Sequence, residues 1–277
     1  MPLIVPEDLS TRWILEADGV FLLDRAGAVR QECRPLRILV LDLDGGSAAT
    51  VDGVLALLSL SPLQIEPVVA TLPGMHESRS GVLPSRQWNP QWTEHFDAAV
   101  LTDRSGDGGQ AHRSLWWDEI RDALDWLAEH VGTRLHLGWS AAAALAHVHG
   151  IESPERAARV DARVLHRVVR RQSYLLRGVD EEFPVQVGWQ RRLPRDFLLD
   201  APGLELLAES TAGDPYLLRT WDRRSLYALQ QPFGDATGST VRVGASHASL
   251  LVGNWLNYYL YQPASLPRDG RVHSPLG

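Results

Sequence analysis

The residues best placed to do chemistry lie in "TRLHLGWSAAAALAHVHG", positions 133–150. An apolar run ends at Gly138, and Gly138-Trp139-Ser140-Ala141-Ala142 has the form of a nucleophile elbow with alanine in place of the final glycine. A serine on such a strand-to-helix turn attacks acyl groups, with nearby amides stabilising the oxyanion. Ser140 is therefore a candidate nucleophile; the competing reading is an N-cap or first-turn serine of the helix that follows. A serine nucleophile also needs a base. His136 falls inside the preceding strand, and His147 and His149 lie roughly 10 Å or more along the helix from Ser140. His166 and His247 belong to later elements.

Other polar groups permit other chemistry. Asp44, Asp103 and Asp107 follow strand candidates and suit acid–base work or solvated caps. His147-x-His149 points to different helix faces, so no metal site is expected. "RVVRRQ" with Arg177, Arg191, Arg192 and Arg195 suits an anion-binding pocket, or simply an arginine-rich surface. The chain has no lysine, which removes Schiff-base chemistry and a lysine base. Its one cysteine, Cys33, allows no internal disulfide and reads as an incidental thiol in a cytoplasmic protein.

The elements that must position these groups alternate. Strands are predicted over 36–44, 64–72, 96–103 and 133–138, and helices over 50–60, 115–132 and 140–150. A long loop covers 73–95. This order predicts an α/β fold with a mostly parallel sheet and helices on both faces. Ligands then bind beyond the carboxyl ends of the strands, at Asp44-Gly45-Gly46, Asp103-Arg104-Ser105 and Gly138-Trp139-Ser140. The second half is less regular: a basic stretch at 156–172, short antiparallel strands over 204–232 and a final helix over 246–262. One domain is expected, with an N-terminal arm (1–35), a core (36–262) and a tail (263–277).

The net charge of −7 argues against nucleic acid and anionic membranes as partners. No apolar run reaches the roughly 18 residues that a transmembrane helix requires, and "MPLIVPEDLS" lacks the apolar core of a signal peptide.

"RPLRILVLDL", "LLSLSPLQIE", "WWDEIRDALDWLAEHV", "GDPYLL" and "GNWLNYYLYQ" together resemble the homoserine O-succinyltransferase/O-acetyltransferase family of methionine biosynthesis. The resemblance implies a class I glutamine amidotransferase-like (flavodoxin-like) fold, a homodimer and ping-pong transfer from an acyl-coenzyme A co-substrate. In the family a cysteine at the elbow is acylated, a histidine acts as base, and a glutamate orients the histidine. The cysteine position falls here on Gly138, the histidine on Gln231 and the glutamate on Phe233. A lysine pair falls on Gly46 and Ser47, and a substrate-gripping Ser-Arg on Gly188 and Trp189. The segment between Pro232 and Ser246 is shorter than in the family.

Glycine carries no nucleophile, glutamine does not titrate near neutrality, and phenylalanine cannot orient an imidazole. Residues that work as a unit fail as a unit. The expectation is a family fold without the family chemistry: a noncatalytic or repurposed binding member, alone or in a heteromer with an active homologue. Its pocket, with Trp139, Asp103, Arg104, Trp189 and Arg191 as candidate lining, would hold an amino-acid-like ligand and no cofactor. The alternative is a divergent acyltransferase, working by direct attack or through Ser140.

Overall fold

The computed structural model describes residues 3–7, 12–17, 19–30, 34–44, 48–59, 63–75, 83–104, 111–152, 155–191, 193, 195–198, 201–230 and 246–261, leaving out the side chains at 14, 48, 49, 111, 155–161 and 188–191. The strands are β1 (Leu3–Ile4), β2 (Leu22–Leu23), β3 (Leu36–Asp42), β4 (Ile65–Thr71), β5 (Arg86–Gln87), β6 (Phe96–Leu101), β7 (Val131–Leu137), β8 (Glu155–Val168), β9 (Glu182–Arg191), β10 (Leu204–Ser210), β11 (Pro215–Thr220) and β12 (Ser225–Ala228). The α-helices are α1 (Arg12–Ala17), α2 (Arg25–Val29), α3 (Ala48–Ser59), α4 (Trp117–His130), α5 (Trp139–His149) and α6 (Ser246–Asn254).

These strands form one sheet in the order β2-β1-β4-β3-β6-β7-β12-β11-β10-β8-β9, with β5 beside β4. Neighbours from β2 to β12 run parallel, and those from β12 to β9 antiparallel. The parallel part is legible in sequence because a strand covered on both faces must be apolar throughout. In β3, Ile38 and Val40 join the core under α3 and α6, while Leu39 and Leu41 join the core under α4 and α5. Consecutive side chains of one strand thus build the two cores, and helices cover both faces.

Several boundaries differ from the sequence reading. The helix predicted from 115 begins at Trp117, and Leu115 is 90% exposed rather than on the buried face. Val131 ends that helix in extended geometry and opens β7, where burial beside Phe96 suits a β-branched residue. The basic stretch from 156 lies mostly in the 14-residue β8. The 204–232 region forms the expected antiparallel pairs, but β12 also pairs parallel to β7 and joins the two halves of the sheet. The loop predicted over 73–95 contains β5.

The last helix changes to π-helical geometry over Trp255–Tyr261. Trp255 is fully buried and its indole N–H donates to Thr133 Oγ1 at 3.0 Å. Tyr259 Oη accepts from Arg219 Nη1 at 2.5 Å. The aromatic face of "NWLNYYLYQ" is therefore a core surface over β7 and β11. No described helix is long and apolar enough to cross a membrane.

Candidate functional site at the β7–α5 elbow

Because β6 and β7 are parallel neighbours, their carboxyl ends deliver Asp103-Arg104 and Gly138-Trp139-Ser140 to one edge of the sheet. Gly138 is the N-cap of α5, with φ 56° and ψ −119°. An L side chain rarely adopts that conformation. A Cβ at residue 138 would also lie within 2.5 Å of the Asp103 carboxylate. Glycine thus relieves a strained elbow backbone that a nucleophile would have to tolerate, and it makes room for a neighbouring carboxylate.

Asp103 Oδ1 accepts the Arg104 amide at 2.8 Å and the Trp139 amide at 2.5 Å. The amide that follows an elbow residue is an oxyanion donor in acyl-transfer sites. Here it holds the protein's own carboxylate, which the positive end of α5 also favours. Arg104 places its guanidinium carbon 4.4 Å from the Trp116 ring centroid and 5.9 Å from that of Trp139. That geometry is cation–π contact with two indoles. Trp116 carries no sequence signal for this role; it sits one residue before α4 and is brought in by packing.

Ser140 is 1% exposed. Its Oγ accepts the Leu137 amide at 2.9 Å and directs its one proton at the carbonyls of Leu101 and Leu137, both at 2.9 Å. It ties the ends of β6 and β7 to the first turn of α5. That is the position of a first-turn serine, with its hydroxyl turned to strand carbonyls, whereas a nucleophilic hydroxyl faces a cleft and a base.

The first corner joins the second through Thr102. Its hydroxyl accepts the Leu43 amide at 3.0 Å and donates to Asp42 Oδ1 at 3.3 Å, and Asp42 Oδ1 accepts the Asp44 amide at 3.0 Å. Gly46, Ser47, Asp107, Gln231 and Phe233 lie outside the described residues. Trp189 and Arg191 belong to β9, separated in the sheet from β7 by β12, β11, β10 and β8. Asp103, Arg104, Gly138, Trp139 and Ser140 thus come together, while the side chains of Trp189 and Arg191 lie outside those described.

The histidines go elsewhere. His136 stacks on Tyr227 at 5.0 Å, and burial pushes it down to about 3. His147 pairs with Asp125 and His149 with Tyr227 Oη, so the two ring nitrogens have different partners. His166 and His247 pack around Phe183 and Tyr216. Burial lowers both, His247 to about 4. Among the described residues no three His, Cys, Asp or Glu side chains form a metal-holding group. Of the arginines, Arg177 donates to Tyr258 Oη, Arg170 pairs with Glu205, and Arg167 and Arg195 both pair with the buried Glu209; Arg192 and the Arg191 side chain lie outside the described residues.

A family model described as homoserine O-succinyltransferase matches residues 2–237. The homoserine O-succinyltransferase of Shewanella piezotolerans is 27% identical over 295 residues, covering 95% of this chain and 94% of the relative. The homoserine O-acetyltransferase of a Synechococcus species is 31% identical over 304 residues, covering 96% and 100%. Among solved structures, a glutamine amidotransferase from Thermotoga maritima matches at TM-score 0.53, with 9% identity, 81% of this chain and 98% of that one. The glutaminase domain of CTPS from Trypanosoma brucei matches at TM-score 0.51, with 10% identity, 79% and 93%. These two likenesses place the fold in the glutamine amidotransferase-like group.

Proposed function

The chain belongs to the homoserine O-succinyltransferase family, and we propose that it keeps the family's fold without its cysteine-dependent acyl transfer, acting as a binding or regulatory member. The observation that carries this reading is the pairing of Gly138 with Asp103. The elbow residue has no side chain, the space where one would begin is taken by a carboxylate, and the following amide is bonded to that carboxylate. An acyl-enzyme needs both a nucleophile and that amide. The sequence positions Gln231, Phe233, Gly46 and Ser47 support the same reading, because the family resemblance places the base, its orienting acid and the lysines there.

The ligand of such a protein is an amino-acid-like molecule at the sheet's carboxyl edge, in a homodimer or in a heteromer with an active homologue in the cytoplasm. The acyltransferase alternative gains nothing from Ser140, whose hydroxyl is committed to strand carbonyls. The test is incubation with acetyl- or succinyl-coenzyme A and a panel of amino-acid acceptors, read by mass spectrometry. No acyl product and no acylated protein are expected. Turnover comparable to that of an active relative would sink the proposal.

A further inference from the structure

On the sheet face covered by α4 and α5, a cleft of about 400 Å³ opens between those helices and the β11–β12 turn. Its lining includes Arg134, Ser225 and Tyr227 of adjoining strands, His149 at the end of α5, and Trp221 of the turn. Trp221 is 70% exposed, and Val148, also in the lining, is 56% exposed. A concave apolar surface with a few convergent polar groups is the usual form of a small-molecule site.

The floor carries a buried cation. Arg134 is 8% exposed. Its Nε and Nη2 both donate to Ser225 Oγ, at 3.2 and 3.0 Å, and Nη1 donates to the carbonyls of Leu127 and Val131, at 3.0 and 3.4 Å. All of these partners are neutral. Arg224 adds a second guanidinium, whose Nη2 donates to Ala128 O at 3.0 Å. Both cap the carboxyl end of α4, whose dipole supplies about half a negative charge. Asp222 on the rim supplies one more, with Oδ1 already accepting Thr220 Oγ1 and the Arg224 amide. Arg224 lies outside the lining, and Asp222 makes no ion pair with Arg134 among the described residues, so the charge of the floor itself is the buried Arg134 guanidinium with neutral partners.

The remaining polar groups add no negative charge. His149 Nε2 lies 3.1 Å from Tyr227 Oη, and His136 stacks behind Tyr227. Burial keeps both imidazoles neutral and pushes the Tyr227 phenol up to about 12. A carboxylate is therefore the missing complement of the floor, and flat apolar surface is the complement of the rings above it.

We propose that this cleft binds a small planar aromatic carboxylate, its anionic end toward Arg134 and its ring between Trp221, Val148 and His149. The site is separate from the elbow and does not depend on how acyl transfer stands.

Titration calorimetry with benzoate and its neutral isostere benzamide tests this on the intact chain. Benzoate should bind at least about 10-fold more tightly than benzamide, and Trp221→Ala and Arg134→Gln should each weaken benzoate by about 10-fold or more. Arg134→Gln removes helix-capping bonds and risks the fold; Trp221→Ala, at an exposed position, keeps the test independent of that. Asp103→Ala should leave benzoate binding unchanged. The proposal is overturned if benzoate gives no heat up to about 10 mM, if benzamide binds equally well, if Trp221→Ala binds as wild type does, or if Asp103→Ala abolishes binding.

Discussion

Asp103 reaches from the end of β6 into the space where a side chain on residue 138 would begin, and its Oδ1 holds the Trp139 amide at 2.5 Å. The two residues form one unit: glycine makes room for the carboxylate, and the carboxylate fixes the elbow amide.

A double-mutant cycle measures that unit. Gly138→Ala adds a Cβ at positive φ and against a carboxylate, and should cost about 2–4 kcal/mol by urea unfolding. In an Asp103→Ala background the overlap is gone and the backbone strain remains, so the cost should fall by about 1 kcal/mol or more. Additive losses would show that the two positions do not interact.

The same geometry bears on attempts to restore chemistry. Gly138→Cys alone should give a thiol that is not acylated by succinyl- or acetyl-coenzyme A, because Asp103 occupies its space and its oxyanion donor. Acylation seen by intact-mass spectrometry in Gly138→Cys, at a rate not improved by adding Asp103→Ala, would contradict the assignment of Asp103 as the occupant.

Ser140 should behave as a structural residue. Ser140→Ala leaves the buried Leu137 amide without its acceptor, a loss of about 1–3 kcal/mol. Thermal unfolding should shift down by several degrees. An unchanged melting temperature would mean that the hydroxyl does not bridge β6, β7 and α5.

Acid stability should follow the buried histidines first. His136 and His247 have folded values near 3 and 4, below the unfolded value of about 6.5. Between these limits the unfolded chain binds protons that the folded chain refuses, so stability falls as pH drops from about 6.5 toward 4. Glu94 is held down to about 2 by Arg86 and Arg37, so its stabilising contribution fades only as pH falls below about 4.5. Urea titrations at pH 6.5 and 4.5 separate the two. His136→Phe should flatten the slope by up to about 1.4 kcal/mol per pH unit, and an unaltered slope would place the acid sensitivity elsewhere.

The aromatic end of the chain should be part of the core. Thr133→Val leaves the Trp255 indole N–H unpaired and should cost about 1–3 kcal/mol, while Trp255→Ala should cost about 3–5 kcal/mol. A negligible effect of Trp255→Ala would make this face an external surface instead.

Much of this was legible beforehand for a physical reason. Strands covered on both faces are continuous apolar runs, so β3, β4, β6 and β7 show themselves, and α4 shows itself by its apolar stripe. β12 shows itself as an antiparallel strand but not as the parallel neighbour of β7, because its adjacent antiparallel partner hides a second partner distant in sequence. β8 was masked by its arginines, which suit a strand with one exposed face as well as they suit a loop.

Sequence alone determined the alternating α/β order, the family, and the absence of a side chain at residue 138. It also nominated Asp103 and Ser140 without being able to separate their roles, since both follow strands and both carry oxygens. Tertiary structure decided between them. Parallel pairing of β6 with β7 sets Asp103 against Gly138 and brings the Leu101 carbonyl to Ser140, and those are relations across 35 or more residues that no local pattern encodes.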